Sequence, residues 1–442
     1  MTSVAGSVSF ESALGRIGIG AFQRRLLGIF GLVWAADAMQ VLAIGFTAPS
    51  IGTSFDRPLA EALQTGTAFF LGMQIGAAVF GRLADRFGRR RVLLVTVSID
   101  ALFGLLSVVA PGFSWLIALR FLTGLGVGGT LPVDYAMMAE FLPASRRGRW
   151  LVILEGFWAI GTVLVALAAL VASWLEIEAA WRFIFALTAI PAVVGLLFRL
   201  RIPESPLYLL RSGREAEARA VLARVAAANG ASTTDLPPLS AEAGGRMPLS
   251  ALLGPDLARR TVIILVVWLL VSASYYGVFV WLPGQLSGQG FGFVRGQAFL
   301  VLVALAQIPG YALAAYGVER WGRRATLIGF LIASAAGCFL FTIAPTNALV
   351  TISTLLMSFA LLGTWGALYA MTPELYPTAL RATGMGAAGA TARLGGLLAP
   401  SVLAPIVTAS FNLALGLFAA LLVVAAIAVL GLGVETRNAP LS

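Results

Sequence analysis

Five charged side chains stand within long apolar runs of this sequence. They are Asp37, Arg120, Asp134, Glu155 and Arg393. A charge in an apolar surrounding is costly, and it is kept mainly where it binds a ligand, carries a proton or pairs with an opposite charge. The chain has no histidine, so any proton chemistry has to use Asp or Glu rather than an imidazole.

Arg393 is suited to binding a carboxylate. It lies in Thr-Ala-Arg-Leu-Gly-Gly at 391–396, where small neighbours would let a substrate approach. A guanidinium stays charged and can hold a carboxylate through two parallel hydrogen bonds. The alternative is a buried ion pair with Asp37 or Glu155 that locks two parts of the protein together. The two arrangements could alternate, which would couple substrate binding to the release of a gate.

Asp37, Glu155 and Asp134 are the candidates for proton coupling. Burial favours the neutral form of a carboxyl group, and an approaching arginine favours the charged form. Asp37 could instead fix helix packing by hydrogen bonding, and Glu155 could pair with Arg120. Because Arg120 precedes a glycine-rich stretch that permits close helix packing, its expected role is structural.

Aromatic side chains within the apolar runs could enclose a flat ring. Such rings stack on heterocycles, although each could equally serve core packing or an interfacial belt. The candidates for substrate contact are Trp158, Tyr276, Trp365, Tyr369 and also Gln307, whose amide could instead bind a neighbouring helix.

The runs that carry these residues are long enough to cross a bilayer. The chain of 442 residues is 59% hydrophobic and 11% charged, unlike an ordinary soluble domain. Periodicity and breaks predict about twelve spans. They cover roughly 25–52, 64–86, 91–110, 114–138, 150–174, 181–201, 259–287, 295–319, 324–343, 347–371, 382–408 and 412–433.

The spans form two similar halves. Arg-Phe-Gly-Arg-Arg-Arg at 86–91 returns as Arg-Trp-Gly-Arg-Arg-Ala at 320–325, and Glu-Phe-Leu-Pro at 140–143 returns as Glu-Leu-Tyr-Pro at 374–377. Both repeats have the same offset, 234 residues (320 − 86 and 374 − 140). One offset shared by two phrases indicates an internal duplication. Parallel halves with a midplane site between them are typical of secondary transporters.

Polar stretches set the predicted domain boundaries. We expect an N-terminal segment at 1–24, a six-helix bundle at 25–201, a linker at 202–258, a second bundle at 259–433 and a tail at 434–442. Within the linker, 204–229 is expected to form an amphipathic helix that Gly230 ends. The Pro-, Gly- and Ser-containing stretch 231–245 is expected to be flexible.

Arginine asymmetry predicts the orientation. The loops after the second and fourth spans of each half are rich in arginine, and Arg199 and Arg201 lie on the same side. The other side holds little beyond Arg57, Arg182 and Arg295. By the positive-inside rule the first side is cytoplasmic. Both termini are then cytoplasmic, and the protein is expected in the inner (plasma) membrane.

The repeated basic loops could form a gate. Glycine allows a tight turn, and carboxylates at the helix ends could form charge-assisted pairs with the arginines. The alternative is a loop that only sets the topology. The candidate gating residues are Asp85, Arg89, Arg90, Glu140, Arg149, Arg323, Glu374, Arg381 and, within a span, Arg120.

Several phrases resemble the major facilitator superfamily over nearly the whole chain. They are residues 81–91, the weaker copy at 317–324, and Pro-Glu-Ser-Pro at 203–206. The resemblance implies an all-α fold of two pseudo-symmetric six-helix bundles that works by alternating access. A closer similarity, to bacterial niacin transporters and to synaptic-vesicle-type relatives, rests on residues 37–39, 120–129, 154–161, 274–277, 306–310, 365–369 and 372–384.

Two residues depart from the niacin-transporter pattern. Those sequences tend to have an acid where Gln40 stands, and a small neutral residue where Asp134 stands. Either change could alter the charge preference or the coupling ion.

The resemblance and the charges together predict a proton-coupled transporter of a small organic anion, a niacin-like aromatic monocarboxylate, that acts as a monomer in the bilayer. One alternative is an organic cation or sugar carrier in which Asp37 or Asp134 binds the substrate. Another is a ligand-binding protein on this fold that no longer transports.

Other classes of protein are not expected. No basic face with interleaved aromatic residues suggests nucleic-acid binding. The glycine-rich run 124–129 lies within a span and lacks the strand–turn–helix context of a nucleotide-binding loop. With no histidine and the single cysteine Cys338, a His/Cys metal site is excluded. We expect no cofactor, and we do not expect the protein to be an enzyme.

Overall fold

Long helices make up nearly all of the described chain, because in a bilayer every backbone polar group must find its partner within the protein. The computed structural model describes residues 8–232, 239–240, 249–255, 257–288 and 296–435. Eleven helical segments in these ranges are long and apolar enough to cross a membrane. A further helix of 24 residues, which holds Arg393, occupies the eleventh predicted position. The predicted all-α fold is confirmed.

The first half and the linker contain ten helices within the described ranges. They are α1 (Phe10–Ile17), α2 (Ala21–Phe55), α3 (Leu59–Ala62), α4 (Gln64–Phe87), α5 (Arg89–Val108), α6 (Phe113–Glu140), α7 (Ala144–Trp174), α8 (Ala180–Arg199), α9 (Pro206–Arg211) and α10 (Glu215–Asn229).

The second half contains eight α-helices within the described ranges. They are α11 (Ala258–Gly288), α12 (Gln297–Leu305), α13 (Gln307–Arg320), α14 (Arg323–Thr342), α15 (Asn347–Met371), α16 (Thr378–Ser401), α17 (Ala404–Ala409) and α18 (Phe411–Leu430). Short 3₁₀ turns precede α11 at Leu249–Leu253 and follow α15 at Thr372–Leu375.

Three expected single helices are divided. The eighth span breaks between α12 and α13 because Pro309 has no N–H to donate to the Leu305 carbonyl. The eleventh is interrupted between α16 and α17, and Pro405 lies in the first turn of α17. The linker helix breaks at Gly213, whose φ of 73° lies in the left-handed region. Gly230 ends α10 as predicted, with a left-handed cap.

The linker is attached to the first half. The Asn229 side-chain oxygen accepts the Phe22 N–H at 3.1 Å, and its amide nitrogen donates to Gln23 Oε1 at 2.9 Å. Strands β1 (Val8–Ser9) and β2 (Leu239–Ser240) pair in parallel beside it. The rest of the expected flexible stretch, 233–238 and 241–245, lies outside the described residues.

The internal duplication extends to backbone contacts. A Cβ on Gly76 of α4 would lie 2.1 Å from the Leu125 carbonyl oxygen of α6, and a Cβ on Gly310 of α13 would lie 2.0 Å from that of Phe359 of α15. The two contacts are equivalent, because each residue of the second follows its counterpart in the first by 234 residues (310 − 76 and 359 − 125). Glycine is therefore required at equivalent positions because two helix backbones touch there.

The halves meet along three lines. Helix α2 packs on α11, α4 on α16, and α7 on α12 and α13. We call the end of the bundle that carries the 86–91 and 320–324 loops the arginine-rich face. Near the opposite end Ser401 of α16 donates to the Thr67 hydroxyl of α4 at 3.2 Å. Nearer the arginine-rich face the Tyr311 hydroxyl donates to the Val152 carbonyl of α7 at 3.1 Å.

Candidate functional site

Arg393 lies midway along α16 with part of its hydrogen-bonding capacity unused. Nη1 donates to the Gly389 carbonyl one turn earlier, at 2.7 Å, while the buried Nε has no partner among the residues that the structure describes. Within the described ranges no carboxylate lies at ion-pair distance from it. The pair with Asp37 or Glu155 that the sequence left open is thus not formed here, and the guanidinium is free to bind an anion.

An aromatic cluster formed by α11 and α15 lies at the junction of the halves. The Trp268 ring is 5.3 Å from Trp365 and 4.8 Å from Tyr369, and the Tyr275 ring is 5.9 Å from Trp365. Tyr276, next to Tyr275 at 5.2 Å, completes this cluster. Tyr276 and Trp365 are largely buried, at 9% and 8% exposed.

Two contacts join the first half to the aromatic cluster. Trp158 Nε1 of α7 donates to the Tyr275 hydroxyl at 3.0 Å, and the Phe70 ring of α4 lies 4.9 Å from Tyr276. The structure therefore brings the predicted aromatic residues of both halves to one place. Trp268 was missed, although it precedes Tyr275 by seven residues and so lies on the same helical face.

Glu155 faces this cluster from α7. It is 6% exposed and its Oε1 has no hydrogen-bond partner among the described residues. It interacts electrostatically with Arg393 and neighbours the Tyr369 side chain. Tyr311, which the sequence reasoning also missed, acts on Glu155 as well. A carboxyl group, a guanidinium and tyrosine hydroxyls thus share one region between the halves.

Gln307 opens α13 immediately after the helix break. It is fully buried, and neither its amide oxygen nor its amide nitrogen has a partner among the described residues. Tyr311, four residues later on the same face, contacts α7 in the other half. A buried amide without a partner in the described ranges, on the face turned to the other half, has the hydrogen-bonding groups to bind a ligand there.

Asp37 and Asp134 differ in their surroundings. Asp37 of α2 is fully buried, and neither carboxyl oxygen has a hydrogen-bond partner within the described chain. Asp134 of α6 is also buried but forms an ion pair with Arg199 of α8. The Arg199 side chain is 1% exposed, because Asp134 and the Phe30 ring, 5.1 Å away, hold it inside, and this burial was not predicted.

Arg120 is held within the first half by neutral groups. Its Nη1 donates to Gln40 Oε1 at 2.6 Å and Nη2 donates to the Gln40 carbonyl at 2.9 Å. Its guanidinium lies between the rings of Phe69 and Phe185, at 4.6 Å and 4.5 Å. The considered pair with Glu155 is therefore not formed, and Arg120 lies away from the basic loops.

The repeated loops close onto their own halves. Arg89 pairs with Asp85 at 2.9 Å and with Glu140 at 3.3 Å. Arg323 pairs with Glu374 at 3.0 Å. These ion pairs each lie within one half. Arg149 is exposed, and the Arg381 side chain lies outside the described part of the chain.

A carboxylate from outside each loop completes the arrangement. Glu204 accepts the backbone N–H of Arg90 at 3.0 Å, and Glu435 accepts that of Arg323 at 2.9 Å. Arg90 itself donates to the Ile202 carbonyl at 2.7 Å. Carboxylates favour the N-terminal end of a helix, where N–H groups are unpaired. The Pro-Glu-Ser-Pro sequence at 203–206 was singled out as a family phrase, but the contact of Glu204 with the Arg90 backbone was not predicted.

Comparison with known proteins places the fold and these residues in context. A family described as "Sugar (and other) transporter" matches residues 58–442. The niacin transporter NiaP of Acinetobacter baylyi is 36% identical over 432 residues, 97% of each chain. The synaptic vesicle 2-related protein of Rattus norvegicus is 30% identical, over 97% of this chain and 81% of that one.

A solved structure has the same fold. The xylose transporter XylE from E. coli, in a partially occluded inward-open conformation, superposes with a TM-score of 0.76. The alignment covers 96% of this chain and 100% of that one, at 20% sequence identity. At that identity the likeness concerns the fold alone.

Proposed function

The chain belongs to the sugar (and other) transporter family of the major facilitator superfamily, and from this premise we propose that it carries a niacin-like aromatic monocarboxylate together with a proton. It is a multi-pass membrane transporter and not an enzyme. In this proposal the bundles span 25–201 and 259–433, the arginine-rich face and both termini are cytoplasmic, and the protein works as a monomer in the inner (plasma) membrane.

The free guanidinium of Arg393 beside the aromatic cluster carries the proposal. A small aromatic acid has a negative head and a flat ring. Arg393 would hold the head through two parallel hydrogen bonds, and Tyr276, Trp365 and Tyr369 would surround the ring. Gln307 and Trp365 Nε1, both without partners within the described chain, would supply further hydrogen bonds. The 36% identity to a niacin transporter supports this substrate class.

The position of Glu155 supports proton coupling. Arg393 acts on Glu155 electrostatically without forming a contact ion pair with it among the described residues. The charge of a bound carboxylate would cancel this effect and favour the protonated form of Glu155, and release of the substrate would restore it and favour loss of the proton. Asp37, whose carboxyl oxygens have no partner within the described chain, is the second candidate for this role, and Asp134, in its ion pair with Arg199, the third.

The gate remains part of the proposal. The ion pairs of Arg89 and Arg323 keep each basic loop folded on its own half, so that the loops can meet or separate as rigid units when the halves rock. Glu140 and Glu374 then act as the anchors of these loops.

Uptake into proteoliposomes tests the function. We expect labelled nicotinate to enter, faster with an inward proton gradient, and benzoate to compete better than nicotinamide, a hexose or a quaternary amine. Arg393→Ala should lower uptake by roughly 10- to 100-fold, since a hydrogen bond to a charged group contributes about 1.5–3 kcal/mol. Arg211→Ala, at an exposed arginine of α9, is the matched control.

The competitors also separate the alternatives. If the hexose or the quaternary amine is the substrate, the sugar or cation hypothesis replaces the anion. Normal anion uptake by Arg393→Ala would show that the guanidinium is not the carboxylate site. If no compound enters although the protein binds nicotinate, the chain is a ligand-binding protein.

A further inference from the structure

The first half contains five ionisable side chains that are almost completely buried. Asp37, Asp100, Arg120, Asp134 and Arg199 are each at most 1% exposed. We call them the buried charge cluster. One pair within it is neutralised by contact, since Arg199 binds Asp134. Asp37, Asp100 and Arg120 have no ion-pair partner at contact distance within the described ranges.

Arg120 is a buried cation that contacts only neutral partners. Gln40 and two aromatic rings hold it, and the ring faces favour a cation. The carboxyl group that interacts with it electrostatically is Asp100 of α5. A buried charge needs an opposite charge nearby to offset the loss of water. Asp100 would provide this charge in its ionised form.

Asp100 is a fully buried acceptor without a donor. Neither of its oxygens has a hydrogen-bond partner among the described residues. A carboxylate in this setting has lost its water without gaining a hydrogen bond or a contact ion pair, whereas a protonated carboxyl group carries no charge to solvate. The surroundings of Asp100 therefore fit the protonated form while Arg120 remains on Gln40.

Gln40, the partner of Arg120, lies against the face of α5 that carries Asp100. A Cβ on Gly104, four residues after Asp100 and on the same face of α5, would lie 2.8 Å from Gln40 Nε2. A Cβ on Gly126 of α6 would lie 2.6 Å from the Asp100 backbone nitrogen, so α2, α5 and α6 meet closely there. Gln40 Nε2 is a buried donor without a partner within the described chain. An unpaired donor, an unpaired acceptor and the guanidinium held by Gln40 thus lie at one junction of helices.

The geometry points to Asp100 as a proton-carrying group of the transport cycle, with Gln40 and Asp100 exchanging as partners of Arg120; this rests on the proposed proton-coupled function. With Arg120 on Gln40, Asp100 holds the proton. When Arg120 moves to Asp100, the Asp100 O–H bond breaks and its electron pair stays as the carboxylate charge. The proton forms an O–H bond on Asp37, which lies three residues before Gln40 on the same face of α2 and whose carboxyl oxygens have no partner within the described chain.

The other charged groups around Asp100 are consistent with one proton shared by two carboxyl groups. Arg199 of α8 acts on Asp100 as Arg120 does, while Asp134 is occupied by Arg199. Helix α4, which also packs on α5, has its charged residues only at the arginine-rich end. Two neighbouring carboxyl groups disfavour double ionisation, so the position of Arg120 decides which of them is protonated.

Asp100→Asn tests the assignment in proteoliposomes. An inward gradient of about one pH unit supports up to about tenfold accumulation when one proton accompanies each substrate, since one unit corresponds to a tenfold ratio. We expect the parent to approach this value and Asp100→Asn only to equalise nicotinate across the membrane. Its nicotinate exchange without a gradient should stay near the parent rate. Glu176→Gln, an exposed acid of the same half, is the matched control.

Gln40→Glu is the second variant and needs no change at Asp100. It gives Arg120 a permanent carboxylate partner, so we expect the same loss of proton-driven accumulation with exchange retained. A pH-sensitive dye should then report substrate entry without proton entry.

Each outcome decides between the hypotheses. A parent protein whose uptake ignores the gradient overturns the proposed proton coupling and the inference together. If the proton gradient drives accumulation by the parent, and Asp100→Asn and Gln40→Glu accumulate nicotinate to the same level, only the inference is overturned. An equal loss of exchange and accumulation also overturns it and would assign Asp100 a structural role.

Discussion

At the scale of residues, Arg199 and Arg393 carry the same charge but have different roles, because their neighbours differ. Arg199 is neutralised by Asp134 within the first half, whereas among the described residues Arg393 donates to a backbone carbonyl alone and keeps an unused Nε. A paired charge holds a structure together, and an unpaired one is available to a ligand. The contrast explains why, of these two arginines, we assign carboxylate binding to Arg393.

Removing Arg199 should destabilise the protein strongly. Arg199→Met leaves Asp134 buried without its partner, and breaking a buried pair costs about 3–5 kcal/mol. Thermal unfolding in detergent should shift to lower temperature. The double variant Arg199→Met/Asp134→Leu should recover most of the loss, because no lone charge remains. An unchanged unfolding temperature for the single variant would contradict the importance of the pair.

From the sequence, a charged residue within a span is easier to identify than the group with which it interacts. Arg393 and Glu155 stand out because charges are rare in apolar runs. That Arg199 is buried could not be known, since it lies at the end of a span, where loop and interior look alike. The burial of Asp100 could not be predicted either, because the face of a helix that meets other helices is set by packing, and apolar spans show little amphipathic pattern.

At the scale of elements, glycine determines how closely helices approach. The contacts of Gly76 and Gly310 put the backbones of α4 and α6, and of α13 and α15, against each other. The repeat offset predicted that the halves are equivalent. It did not predict these contacts, because a glycine within a span can allow close helix packing, allow a kink or have no specific role. The break after α12 was also missed, although Pro309 is its visible cause.

Alanine at either contact glycine should destabilise the protein. In Gly76→Ala or Gly310→Ala the new methyl meets a backbone carbonyl that cannot turn aside, and overpacking costs about 1–3 kcal/mol. The matched control is Gly81→Ala, in α4, where a Cβ meets nothing within 4 Å and alanine favours the helix. Thermal unfolding in detergent should rank Gly81→Ala at or above the parent. Equal stability of all three variants would contradict the contact argument.

At the scale of the whole molecule, contacts between the halves occur towards both ends of the bundle. The Ser401–Thr67 bond lies near the end opposite the arginine-rich face, and the Tyr311–Val152 bond lies nearer that face. Alternating access requires each set to open in turn. A bond that holds one end shut should therefore stop the cycle.

A disulfide between positions 67 and 401 should do so. With Cys338→Ala as background, Thr67→Cys/Ser401→Cys places two thiols where the hydroxyl oxygens are now 3.2 Å apart. Oxidation should abolish uptake, and reduction should restore it, because α4 and α16 can no longer separate. The single-cysteine variants are the controls. Full uptake by the oxidised, cross-linked protein would contradict movement of the halves at that end.

The acids at the loops, Glu204 and Glu435, let each half close its own basic loop. Glu204 accepts the backbone N–H of Arg90, and Glu435 accepts that of Arg324, the residue that follows Arg90 by the 234-residue offset (324 − 90). The two acids are 231 residues apart (435 − 204), so the contact is present in both halves although the acids are out of register with the repeat. On the proposed roles, the halves share this loop closure and divide the labour of transport: the first holds the proton-carrying groups, and the second holds the guanidinium that recognises the cargo.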